Sequence, residues 1–263
     1  MKDLKDLTPK EARDLIRENK LNIPTSGISK GHIQGNLAIL PKELALDFLI
    51  FAQRNPKSCP ILDVTNIGDP EAKLVAKGSD LRFDIPKYRI YKKGVLVDEV
   101  DNIEEYWNED MVAFVIGCSF SFESAMLDAG LPVRHIEENH NVPMYLTNIE
   151  TIPSGIFHGN TVVSMRPIPY DQVVKATTVT ARFPSVHGAP LHIGNPELIG
   201  INDINKPDFG DASTIKDGEI PVFWACGVTP QSIAMTSKPD IMITHSPGYM
   251  FICDPVDEDY SVL

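Results

Sequence analysis

Apolar positions first recur at helical spacing in Ala12, Leu15 and Ile16. They follow Thr8-Pro9-Lys10-Glu11, a capping box with proline at the first helical position. A second helix is predicted from Pro41-Lys42-Glu43 to Asn55-Pro56. Leu44, Phe48 and Phe51 give it one apolar face, and Leu46, Leu49 and Ile50 widen that face enough to predict deep burial. Pro60 to Thr65 reads as a buried strand before the turn Gly68-Asp69-Pro70. Tyr88–Tyr91 and Val95–Val97 flank Lys92-Lys93-Gly94, which predicts a hairpin with a three-residue loop. A short helix is expected over 102–110.

Met111 to Ile116 is a continuous apolar run, as in a strand covered on both faces. Gly117-Cys118-Ser119 follows, and then a helix predicted from Phe120 to Ala129 that stops at Gly130. The pattern returns in the strand Pro221–Cys226, Gly227, and a helix with cap and proline at Thr229-Pro230-Gln231. Asp240–Thr244 reads as a strand running into His245-Ser246-Pro247-Gly248, with a last strand over Tyr249–Cys253. These units predict an α/β fold with a largely parallel or mixed sheet layer and helices on both faces. The stretch 149–214 is denser in Pro, Gly and Asn, and is read as a smaller α+β domain inserted into a main domain of 1–148 and 215–263. The tail Asp254–Asp259 reads as a solvated acidic end.

Composition narrows the classes. The chain has 263 residues and a net charge of −12, which argues against nucleic acid and against an anionic membrane as partners. No apolar run approaches the roughly 18 residues of a membrane span. Met1–Asp6 has charges with no apolar stretch behind them, so no secretory signal is expected. Cys59, Cys118, Cys226 and Cys253 are widely spaced, which fits reduced thiols in the cytoplasm.

Open α/β sheets place ligands beyond the carboxyl ends of their strands. Three such ends carry unusual residues: Gly117-Cys118-Ser119, Cys226-Gly227-Val228-Thr229 and Thr244-His245. Ser119 is either a helix cap or a group beside an anion site. Cys118 stands where a nucleophile elbow would put one, but Gly117-x-Ser119-x-Ser121 lacks the final glycine of that pattern, which favours packing. Glu123 is a candidate general base or a helix-dipole carboxylate. His187 and His192 sit in a loop-rich segment after Arg182-Phe183-Pro184. With His245 they are candidate acid–base groups, because their spacing is not that of a helical metal pair. No cofactor is predicted, and a divalent metal is the weaker reading. Arg166, after an apolar strand, needs an anionic partner: a structural one or a substrate carboxylate. His158-Gly159-Asn160 is an ordinary turn or a polar loop beside it.

Together, Gly117-Cys118-Ser119-Phe120-Ser121-Phe122-Glu123, His158-Gly159-Asn160, Met165-Arg166-Pro167 and Gly248-Tyr249-Met250-Phe251 resemble the YcsI-like hydro-lyase family, relatives of the D-glutamate cyclases. The likeness runs from His32-Ile33-Gln34-Gly35-Asn36 to Asp254 and includes the Trp224–Gln231 run. It implies a carbon-centred lyase, and more concretely closure of D-glutamate to 5-oxo-D-proline with loss of water. It also implies a two-domain α/β architecture. Such a reaction needs a base (Glu123 or His245), an acid (His187 or His192) and backbone N–H groups after Gly117 for the developing oxyanion. It needs a carboxylate clamp as well, for which Arg166 and Asn160 are the candidates. Ser119, Ser121, Arg182 and Thr229 complete the expected substrate-binding set. The expected partner is a small carboxylate or amino acid, with homo-oligomerisation left open. The rival readings are acyl transfer through Cys118, a non-catalytic carboxylate binder and a metal-assisted lyase.

Overall fold

The computed structural model describes residues 3–262; Met1 and Lys2, part of the N-terminal stretch read above, lie outside them. The helices are α1 (Pro9–Arg17), α2 (Lys42–Arg54), α3 (Glu123–Asp128), α4 (Arg134–Glu137), α5 (Val173–Ala181) and α6 (Thr229–Ser237). The strands are β1 (His32–Pro41), β2 (Ile61–Val64), β3 (Tyr88–Lys92), β4 (Val95–Val100), β5 (Met111–Gly117) and β6 (Met144–Glu150). They continue with β7 (Asn160–Pro169), β8 (His192–Ile193), β9 (Glu219–Ala225), β10 (Met242–His245) and β11 (Phe251–Val256). A seven-stranded sheet has the order β2-β5-β1-β10-β3-β4, with β11 also pairing β1, and a four-stranded sheet has the order β6-β7-β9-β8.

The fold is mixed α/β, but every ladder in both sheets is antiparallel. The expectation of a largely parallel sheet is corrected by this pairing. Its cause is visible in β5, which lies between β1 and β2 with all seven residues buried. Met111, Ala113 and Val115 face one core, and Val112, Phe114 and Ile116 face the other. A central antiparallel strand covered on both sides carries the same unbroken apolar run as a parallel one. Helices α2 and α6 pack on the second of these faces, while α3, α5 and part of the smaller sheet pack on the first. Strands of the smaller sheet lie on both sides of 149–214 as well as within it: β6 begins at 144, β7 and β8 lie inside, and β9 is Glu219–Ala225.

Other local expectations shift. The capping box of α1 forms, with Glu11 N–H donating to Thr8 Oγ1 at 3.3 Å and Thr8 N–H to Glu11 Oε2 at 2.9 Å. Helix α2 buries Phe48 and Phe51 but leaves Leu46 66% exposed and Leu49 40% exposed, so it is a surface helix. The hairpin loop is two residues long, because Lys92 pairs Val95 and both Lys93 and Gly94 have positive φ. Only a single 3-10 turn, Glu104–Tyr106, forms within 102–110. After Gly117 a 3-10 turn (Ser119–Phe122) precedes α3, and Gly130 stops the chain reversal at φ 72°. Thr229 is the first residue of α6 rather than its cap; its hydroxyl donates to Cys226 C=O and accepts from Val162 N–H, tying α6 to β7. The acidic tail is not wholly solvated, since Asp257 is 6% exposed. No helix among the described residues is long and apolar enough to cross a membrane.

Candidate active site

Ser164 and Arg166 share one face of β7, and strand pairing sets Trp224 opposite Ser164. The Arg166 guanidinium is fully buried against the adjoining rings of Phe122 and Trp224, 5.2 and 5.5 Å from their centroids. A buried cation needs an anion and hydrogen bonds. Arg166 Nε donates to Glu123 Oε1 at 3.1 Å, Nη1 to Ser164 Oγ at 3.1 Å, and Nη2 to Ser119 Oγ at 3.1 Å and to Glu123 Oε1. His135, on α4, stands with Nε2 3.2 Å from the same Oε1, off the line of a formed hydrogen bond. Burial pushes the Glu123 pKa up, but attraction to His135 and Arg166 outweighs it and holds the carboxyl below its usual range. Glu123 is therefore a charged carboxylate at neutral pH.

A cavity of about 220 Å³ opens beside Glu123, walled by Ser29, His32, Gln34, Phe120, Ser124 and Asp257, with Lys5 and Lys30 also on its lining. These lysines bridge loosely to Asp3 (3.2 Å) and Asp128 (3.7 Å). A cleft of about 700 Å³ lies on the other side of Gly27-Ile28, with His135 and Asn141 in its wall. The Glu123–His135 contact thus stands between two hollows. The contacts that Arg166 and His135 make with Glu123 fall on its Oε1.

The remaining candidates disperse. His187 reaches the turn after β5. A Cβ at Gly117 would sit 2.2 Å from Ser185 C=O, so glycine lets that loop approach. The His187 ring is buried, with Nδ1 2.9 Å from Lys57 C=O, and burial lowers its pKa to about 4. His245 is enclosed at the end of β10, its Nδ1 accepting from Leu37 N–H at 3.0 Å, and burial lowers its pKa to about 4 as well. His192 is turned outward to Asn195 C=O, and Arg182 contacts Ser261 on the surface. Asn160 donates to Thr147 C=O, six residues and roughly 20 Å along β7 from Arg166. His187, His192 and His245 stand in neither hollow's wall.

Cys118 is buried, and burial pushes its thiol pKa far up; its Sγ accepts from Phe120 N–H at 3.5 Å. Ser121 N–H bonds Cys118 C=O, and the Ser121 hydroxyl accepts from Gln34 N–H at 3.0 Å. The Phe120 and Ser121 N–H groups are thus occupied within the protein. Sequence reasoning missed His135, Ser29 and Asp257: the first has no motif around it, and the last hides in an acidic tail. Among the described residues no group of three or more His, Cys, Asp or Glu could hold a metal ion.

The sequence model of the D-glutamate cyclase family matches residues 112–254, a span that contains Glu123, His135 and Arg166. The chain belongs to the D-glutamate cyclase family. Similar proteins include "Putative hydro-lyase" of Psychrobacter arcticus, 70% identical over the whole of both chains. Another is "Putative hydro-lyase YcsI" of Bacillus subtilis, 58% identical over 98% of this chain and 100% of that one. This agrees with the resemblance to YcsI-like hydro-lyases read from the motifs. Among solved structures, a nitrogen repressor-like protein of Methanococcus jannaschii aligns at TM-score 0.37 and 10% identity, covering 89% of this chain and 91% of that one. For this D-glutamate cyclase family member, Ser29 and Asp257 lie outside the matched span.

Proposed function

We propose that this family member is a lyase that closes D-glutamate to 5-oxo-D-proline, and that the 220 Å³ cavity beside Glu123 receives the substrate. The observation that carries this reading is the Glu123–His135 pair: a carboxylate kept charged by buried Arg166, in contact with an imidazole and lining a cavity. In the reaction the α-amine attacks the γ-carboxyl carbon, and one carboxyl oxygen departs as water. The protons that leave nitrogen are those that leave with that oxygen, so no net proton is consumed. A carboxylate with a lowered pKa is a weak base alone. Contact with His135 offers an imidazole nitrogen as a second place for the proton. The same pair then returns the proton to the departing oxygen. Holding the five-carbon chain folded supplies a further large part of the rate.

Lys5 and Lys30 give the cavity positive charge for the two substrate carboxylates, in a molecule otherwise strongly acidic. Arg166, whose guanidinium is engaged by Glu123, Ser119 and Ser164, positions the base. Incubation with D-glutamate, L-glutamate and both 5-oxoprolines, followed by chiral separation, tests the reading. 5-Oxo-D-proline from D-glutamate is expected; absence of any 5-oxoproline overturns it.

A further inference from the structure

The cavity beside Glu123 holds two buried polar atoms that neither the family span nor the proton chemistry above uses. Ser29 is 1% exposed and its Oγ has no hydrogen-bond partner among the described residues. Asp257 is 6% exposed and its Oδ1 likewise has none. Both line the cavity with Glu123. Buried polar atoms are nearly always satisfied, and leaving one unsatisfied costs free energy, so two unused acceptors on residues that line one hollow point to a ligand that donates hydrogen bonds. The backbone is shaped to put them there. Ser29 itself adopts φ 49° between Gly27 at 78° and Gly31 at 84°, and Asp257 N–H bonds Gly31 C=O at 2.9 Å.

We propose that Ser29 Oγ, Asp257 Oδ1 and the Glu123 carboxylate form a subsite for a primary ammonium group. An R–NH₃⁺ group has three N–H donors and no acceptor, and three residues that carry acceptors line this one cavity. The proposal rests on the reading that this cavity takes the substrate, and it assigns the α-ammonium to this end. The other charged groups on this cavity's lining or beside Asp257 have partners of their own or add repulsion. Lys5 and Lys30 bridge to Asp3 and Asp128, His32 Nδ1 contacts Asp254 C=O, and Glu258 lies nearby. Burial first, and then Glu258, push the Asp257 pKa up to about 7 in the unliganded protein. A bound cation favours the carboxylate, so ammonium binding strengthens as pH rises through that value.

The test uses the full chain and methylammonium chloride as probe, with tetramethylammonium chloride, which has no N–H donor, at the same concentration. At about pH 8, above the raised Asp257 value, methylammonium should raise the melting temperature of the wild type, and tetramethylammonium should not. The shift should shrink in Ser29→Ala, vanish in Asp257→Asn and weaken at about pH 6. Asparagine keeps the shape of the side chain and removes a costly buried charge, so the variant should fold. No shift in the wild type, an equal shift with tetramethylammonium, or an unchanged shift in Asp257→Asn would overturn the subsite. If methylammonium protects as expected but D-glutamate is not cyclised, the subsite stands and the cyclase reading falls. If D-glutamate is cyclised and methylammonium fails, the reverse holds.

Discussion

Glu123 is charged in a place where charge is expensive, and Arg166 is what makes this tolerable. The two residues therefore cannot be tested alike. Glu123→Gln leaves a buried guanidinium without its anion, at a cost of about 3–5 kcal/mol. Loss of activity in that variant would mix misfolding with chemistry. His135→Gln keeps the Arg166–Glu123 pair and removes the proton acceptor. It should lower kcat for cyclisation by about 10²–10⁴-fold while stability changes by about 1–2 kcal/mol or less. Steady-state kinetics beside urea unfolding checks both halves, and near-normal kcat in His135→Gln would remove the imidazole from the mechanism. Glu123 and Arg166 were legible in the sequence because each stands in a run of unusual composition. His135 was not, since a histidine between Arg134 and Ile136 carries no periodic or motif signal and acquires meaning only when α4 sets it against Glu123.

At the scale of elements, β1 changes partner along its length, from β11 at its start to β10 further on. His245 ends β10 where that change occurs, and its ring replaces a ladder bond by accepting from Leu37 N–H. The strand and its final histidine could be read from the apolar run, but its antiparallel pairing could not. Pairing direction depends on partners distant in sequence, and β5 shows that burial on both faces erases the alternation that would reveal it. The role of His245 as a buried neutral acceptor has a pH consequence. Its folded value of about 4 lies below the ordinary 6.5. As pH falls, the unfolded chain takes the proton first, so the stability present above 6.5 is lost as pH drops towards 4. His245→Asn can keep the Leu37 bond through its amide oxygen without titrating. Between about pH 7.5 and about pH 4.5 it should lose about 2 kcal/mol less stability than the wild type. Urea unfolding at both pH values measures this, and equal losses would show that the histidine is not buried neutral.

Across the whole molecule, two antiparallel sheets share a core, and the buried Arg166 sits at their junction with the 3-10 turn and short helices that follow β5. The motif Gly117–Glu123 was the most informative stretch of sequence because it is the piece that crosses from the large sheet to the site. Residues 27–32 and Asp257, far apart in the chain, also line the cavity, and nothing local in either stretch announces this. The acidic surface, net charge −12, repels a dicarboxylate except near lysines such as Lys5 and Lys30. The central claim is that substrate binds where these segments meet Glu123. A crystal structure of the protein with D-glutamate bound tests it most directly. The account predicts the ligand in the cavity between Ser29, Asp257 and Glu123, its amine within hydrogen-bond reach of those oxygens. D-glutamate bound elsewhere, such as the polar cleft beside Arg89 and Ser246, with the Glu123 cavity empty, would contradict it.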